Sequence, residues 1–314
     1  MDLLYGSLPA PAFQLPDGRL QPDFLMDTVP DWLFAMVTLC IVGGVSYFNS
    51  VVFEGDLLVQ QCLAIPLGVH WFLFFAHGLP QKSEKFFDLA GQLGICAMLA
   101  FAFWHRRNQE LVGVVALGLI LVWSSRLAWF LFSRMLERGE DWRFVRARKH
   151  PGYHFFAWTS QGLWCFCQAQ AVLGLFLTSY EKEMSNNWLA ILGTVVWAIG
   201  FSLETVADAQ KLAFVRLHPI REQRLWIDQG LWRYSRHPNF CGETLCWLGI
   251  SLVCHQAPFR QAVFAPVFSM LFLQQTTVPW LDLLADAKYH HHPSYAQYVA
   301  NTSKYWLLPK RNHA

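Results

Sequence analysis

Gly230-Leu231-Trp232-Arg233-Tyr234-Ser235-Arg236-His237-Pro238-Asn239-Phe240-Cys241-Gly242-Glu243 is a dense polar block set into the mouth of an apolar segment. Pro238 suits the first position of a helix, where its missing N–H costs nothing, which places Arg236 and His237 at that helix's N-terminal end. Such an end carries free backbone N–H groups and about half a positive charge. With two cationic-capable side chains beside it, the natural guest is an anion such as a phosphate. Asn239 and Glu243 stand four apart and share one helix face. The competing account is a basic loop held against anionic headgroups beside a membrane span. His, Asn, Gly and Glu at fixed helical offsets favour a binding site over that.

Composition gives the block its setting. The 314-residue chain is 54% hydrophobic and only 15% charged, far from the roughly 25% of soluble domains, so it reads as a membrane protein. A net charge of +2, without a basic stripe interleaved with aromatics, excludes a nucleic-acid partner. Most cysteines (Cys40, Cys62, Cys96, Cys165, Cys167, Cys246, Cys254) lie inside apolar runs, which indicates core thiols and neither a disulfide framework nor a zinc site. The run His290-His291-His292 points its rings in different directions and has no carboxylate or cysteine at ligand spacing, so no metal is expected. Residues 1–30 hold five prolines and lack the basic and apolar regions of a signal peptide; they read as a loosely ordered tail.

From Trp32 onward, apolar runs recur near the ~20 residues a bilayer requires, at about 31–53, 57–79, 86–104, 111–133, 160–180, 188–208, 238–256 and 261–280. The expectation is an all-α, multi-pass transmembrane bundle of about seven or eight spans, the last two being interrupted by Gly, Pro and polar residues. Basic residues collect after the fourth span (Arg134 to Lys149), after the sixth (Lys211 to Arg236) and in the C-terminal tail, which puts these three segments on the cytosolic side. Arg106 and Arg107 are the misfit, falling on the opposite side.

Polar residues gather at the cytosolic mouth of the C-terminal half. Glu204, Asp208 and Lys211, at offsets of four and three, share one face at the end of the sixth span. Ionisable groups at that depth are costly and face a partner or a cavity, the alternative being a solvated helix end with a local salt bridge. Arg126 lies inside the fourth span, within snorkelling reach of its end. Tyr295, Tyr298 and Thr302 form a helical stripe of hydroxyls, which by itself is ordinary for a membrane edge.

Trp123-Ser124-Ser125-Arg126-Leu127, Gly139-Glu140-Asp141-Trp142-Arg143, Glu204 through Lys211, Gly230 through Glu243, and Tyr295-Ala296-Gln297-Tyr298 with Thr302-Ser303 occur in the order found in a family of uncharacterised multi-pass membrane proteins. That family resembles the C-terminal domain of steroid 5α-reductases. The resemblance covers roughly residues 110 to 310, which divides the chain into the tail, N-terminal spans at 31–110 and a reductase-like domain at 111–314. It implies a C-terminal half wrapped around NADPH from the cytosolic side, in the endoplasmic reticulum of a eukaryote or the inner membrane of a bacterium. By that likeness Asp208, Arg236, His237, Asn239 and Glu243 line the cofactor, with Glu204, Lys211, Arg233, Tyr234, Tyr295 and Tyr298 as further members.

The implied chemistry is reduction of a carbon–carbon double bond conjugated to a carbonyl, in a lipid or steroid-like substrate entering from the bilayer. Residues that would polarise the carbonyl are not identified; Tyr47, Glu54, Gln60, Gln61, His70 and His77 are the N-terminal possibilities. The chain departs from the family's usual pattern at Phe240, where Tyr is commoner, and at Asp282, where Glu is expected. Isoprenylcysteine and phospholipid methyltransferases share a related fold and an Arg-His-Pro segment but use S-adenosylmethionine. They bring a Glu-Glu pair where this chain has Asp282 and Asp286. A catalytically silent protein retaining the pocket for lipid or nucleotide binding is the remaining alternative.

Overall fold

The computed structural model describes residues 29–52, 56–106, 111–141, 144–145, 147–177, 188–220 and 225–309. All but the last two residues of the expected tail lie outside the described residues, as do Glu54, Arg107, Trp142 and Arg143. Among the described residues the secondary structure is helical and there is no strand, only an isolated bridge between Ser235 and Ser303. The α-helices are α1 (Asp31–Val52), α2 (Leu57–Leu73), α3 (Phe87–Trp104), α4 (Leu111–Arg138), α5 (Pro151–Gln168), α6 (Gln170–Leu177), α7 (Trp188–Leu217), α8 (Pro238–Val253), α9 (Phe259–Phe272), α10 (Val278–Tyr289) and α11 (Pro293–Asn301). Two π-helical turns, Phe74–Gly78 and Leu273–Thr277, extend α2 and join α9 to α10.

Six stretches are long and apolar enough to cross a membrane: Asp31–Val51, Leu57–Gly78, Phe87–Trp104, Leu111–Arg138, Trp188–Leu217 and Gln261–Tyr289. This marks a multi-pass membrane protein. The other two expected spans take a different form. The apolar run at 160–180 is divided at Ala169 between α5 and α6. Helix α8 has 16 residues, about 24 Å at 1.5 Å each, and falls short of a ~30 Å hydrocarbon core.

The chain divides into two compact units, one of residues 20–190 with 253–265, the other built from 191–252 and 266–314. In the first, α2 packs on α3 and α5 around Phe74, Phe87, Phe144 and the fully buried Trp158, whose indole N–H donates to His154 Nε2 at 2.9 Å. The connection after α4 is tied down by polar groups. Gly139 ends α4 at φ +79°, the left-handed conformation that closes a helix most cheaply with glycine. The buried Glu84 carboxylate accepts from the Asp141 backbone N–H at 2.6 Å and faces Arg148 Nε at 3.4 Å, while Arg148 Nη2 donates to Glu140 at 2.7 Å. Arg106 folds back on the end of α3, donating to the Phe103 carbonyl at 2.7 Å with its guanidinium over the Phe103 ring. That contact gives the misfit arginine a local partner.

The second unit is organised by glycine. Gly193 and Gly200 on α7, seven apart, meet Gly249 and Gly242 on α8, also seven apart, so the helices run antiparallel with their backbones touching. A Cβ on Gly242 would lie 2.5 Å from the Glu204 backbone nitrogen and 2.7 Å from the Gly200 carbonyl oxygen. Small residues permit this approach, which is how helices associate where no hydrophobic drive exists between them. The crossing brings the start of α8, where the quoted block ends, beside the Glu204 turn of α7.

Candidate functional site

The start of the block, Gly230 to Trp232, is pinned to α7. Gly230 adopts φ +59°, and a side chain there would collide with that of Gln210, whose Oε1 accepts from the Leu231 N–H at 2.9 Å. Trp232 is buried, donates its indole N–H to the Ala207 carbonyl at 3.0 Å, and carries the Lys211 ammonium 4.8 Å from its ring centroid. Ser235 then links the block to the C-terminal segment. Its hydroxyl donates to the Tyr305 carbonyl at 2.6 Å and accepts from the His237 N–H at 3.1 Å, while the Arg236 N–H donates to the Ser303 carbonyl at 2.8 Å.

Helix α8 begins at Pro238, as the missing N–H of proline dictates, and the His237 carbonyl accepts its first bond, from the Cys241 N–H at 3.2 Å. Tyr305 fastens this first turn from the other side. Its hydroxyl donates to the Phe240 carbonyl at 3.0 Å, so the Thr244 hydroxyl, at 2.5 Å, is the donor to Tyr305.

At this helix tip Arg236 and His237 turn inward. Arg236 Nη1 and His237 Nε2 both donate to one oxygen of Asp282 on α10, each at 3.0 Å, and Lys304 faces the other oxygen at 3.4 Å. The Phe240 ring lies parallel to the His237 imidazole, with centroids 5.8 Å apart. Burial pushes the His237 pKa below its ordinary value, assisted by the nearby Lys211 and Arg236 charges and opposed by Asp282. The neutral ring therefore carries its proton on Nε2, toward the carboxylate.

Next to this cluster Trp226 is surrounded by Tyr289, His292, Tyr295 and Tyr298, the nearest ring being Tyr295 at 5.1 Å between centroids. Tyr295 donates to Asp286 at 2.9 Å and Tyr298 to the Trp232 carbonyl at 3.0 Å. Burial raises both phenol pKa values well above the usual range, and Asp286 adds to the rise at Tyr295. Three groups here that can donate a hydrogen bond are buried without a protein partner: Arg236 Nε, Trp226 Nε1 and the Thr302 hydroxyl. An unpaired buried donor costs on the order of 1–3 kcal/mol unless a water or a ligand meets it.

Of the residues singled out in the sequence, Lys211, Arg236, His237, Tyr295 and Tyr298 are brought together in this unit, with Glu204 and Asp208 buried on the adjoining turn of α7. Asn239 and Glu243 are half-buried in the first two turns of α8. Arg233 and Tyr234 are exposed. Asp282 joins Arg236 across 46 residues of sequence and was visible there only as a departure from an expected Glu. Trp226, Trp232 and Tyr305 had no sequence signal separating them from ordinary membrane-edge aromatics. In the first unit, Gln60 is paired with Ser46, Tyr47 and Gln61 are exposed, and His70 is fully buried with Nδ1 on the Pro66 carbonyl at 2.6 Å.

A family described as "Protein of unknown function (DUF1295)" matches residues 74–302, nearly three-quarters of the chain. The chain belongs to this family. The match begins well before residue 110, so it takes in the second half of the N-terminal spans as well as the whole block and its Asp282 partner. An uncharacterised protein of Schizosaccharomyces pombe is 29% identical over 189 residues, 52% of this chain and 51% of the relative's own length. The aligned part thus spans about half of that relative. No solved structure matches the chain.

Proposed function

We propose that this DUF1295 protein is an integral membrane oxidoreductase that uses NADPH to reduce a conjugated carbon–carbon double bond in a lipid or steroid-like substrate. The observation that carries the reading is the inward-turned tip of α8. There Arg236 keeps a buried Nε–H unpaired, beside the unpaired indole N–H of Trp226, at a helix N-terminus that favours anions.

These donors fit the phosphate and ribose oxygens of a phosphorylated dinucleotide. Arg236, Lys304 and Lys211 would hold phosphate charge, with Asp282 keeping the Arg236 and His237 side chains extended toward it. The Glu204 and Asp208 carboxylates suit ribose hydroxyls. A bound nicotinamide would supply a hydride to the alkene carbon remote from the carbonyl, with a proton from water completing the neighbouring carbon. His237, held through Nε2 by Asp282, would present an oriented imidazole to the phosphate-bearing end of that cofactor. The likeness to steroid 5α-reductases supports the same reading, under which α8 and the α5–α6 pair would add to the six long apolar stretches to make seven or eight crossings, with this site on the cytosolic side of an endoplasmic reticulum or a bacterial inner membrane.

Comparative lipid profiling of cells with and without the protein tests it. The expected result is a pair of lipids differing by two mass units whose ratio follows the protein; a pair differing by one methyl group would instead indicate the S-adenosylmethionine-dependent reaction.

A further inference from the structure

Helices α9 and α10 form one continuous apolar stretch, Gln261–Tyr289, of 29 residues, and at its centre stands the polar turn Leu273-Gln274-Gln275-Thr276-Thr277. Gln275 is fourteen residues from either end, so roughly 20 Å of helix separates it from both. The turn is π-helical, closed by the Val278 N–H on the Leu273 carbonyl. Pro279 also denies the Gln275 carbonyl its regular donor four residues on. Gln275 is exposed and Gln274 half-buried. An amide facing hydrocarbon without a partner costs several kcal/mol, and helical turns of this kind are frequent at functional sites. Asp282 lies seven residues further along, about two turns and roughly 10 Å toward the Arg236–His237 cluster.

We infer that this turn binds the polar end of a lipid, with the Gln275 amide donating to a carbonyl oxygen of an otherwise apolar molecule that approaches sideways through the bilayer. The inference rests on the reductase reading for the lipid's identity as substrate, and on the position of Gln275 for the site itself. The helix then carries both ends of the reaction: Asp282 at the cofactor's phosphate end, and Gln275 deeper, where the lipid's carbonyl is held.

The test uses the full-length protein in nanodiscs and two photoreactive diazirine probes of equal length, a long-chain enone and the corresponding alkane. Crosslinks are quantified on the tryptic peptide between Arg260 and Lys288. The enone is expected to label this peptide more than the alkane, and Gln275→Leu to lower enone labelling by roughly threefold to tenfold, the worth of one neutral hydrogen bond. Gln275→Asn, which keeps the amide, should retain most of the labelling. Equal labelling by both probes, or enone labelling indifferent to Gln275→Leu, overturns the inference. So does a chain-to-chain crosslink through residue 275 in a Gln275→Cys variant, which would make a second copy the occupant. NADPH affinity measured on the same samples separates the two readings: enone labelling without NADPH binding leaves the lipid site standing and removes the reductase.

Discussion

Arg236 donates through Nη1 to Asp282 and leaves Nε buried and unpaired. Arg236→Ala should weaken NADPH binding by about 1.5–3 kcal/mol, the worth of a charge-assisted hydrogen bond, as read by calorimetry on the purified protein. His237 gives a pH-dependent expectation. Its folded pKa is depressed by burial, so the unfolded chain takes up a proton that the folded chain resists. The stability this contributes is complete above the ordinary histidine range, near 6.5, and is lost as pH falls below it. The thermal transition should drop between pH 7 and pH 5, and His237→Gln should flatten that slope; an unchanged slope would mean that His237 takes up its proton equally in the folded and the unfolded chain. The place of this pair at a helix tip was legible because Pro238 fixes where the helix starts. Its counterion was not, since nothing local ties Asp282 to a helix tip 46 residues earlier.

Helices α7 and α8 are joined by backbone contact through Gly193, Gly200, Gly242 and Gly249. A methyl group at Gly242 would meet backbone atoms of Glu204 and Gly200, and backbone cannot move aside as a flexible side chain would. Gly242→Ala should therefore cost about 1–3 kcal/mol of stability and separate the start of α8 from Glu204, lowering NADPH affinity as well. A variant that melts and binds like the wild type would show that the helices tolerate a wider spacing. The sequence displays these glycines only as interruptions of apolar runs. Their heptad spacing acquires meaning once two helices are known to face each other. The break at Ala169 is flanked by Gln168 and Gln170, yet two amides within an otherwise apolar run from Phe166 to Leu177 barely lower its hydropathy, which records length but not where one helix ends and the next begins.

At the scale of the molecule, a membrane protein made of helices was legible from composition and the length of the apolar runs, because a bilayer allows few alternatives for satisfying backbone groups. Six spans follow from length and composition, while α8 and the α5–α6 pair fall outside that set. From the distribution of basic residues, the segment after α4 and the C-terminal tail are expected on the cytosolic side. Cysteine substitutions in these two segments should react with a membrane-impermeant thiol reagent only after the cytosolic face is opened. Labelling of either in intact cells would reverse the orientation. The central claim, that the tip of α8 grips a phosphorylated dinucleotide, is tested most directly by titrating the detergent-solubilised protein with NADPH and, separately, with S-adenosylmethionine. Saturable binding of NADPH that Arg236→Ala weakens is the predicted result; saturable binding of S-adenosylmethionine alone, or of neither, would contradict it.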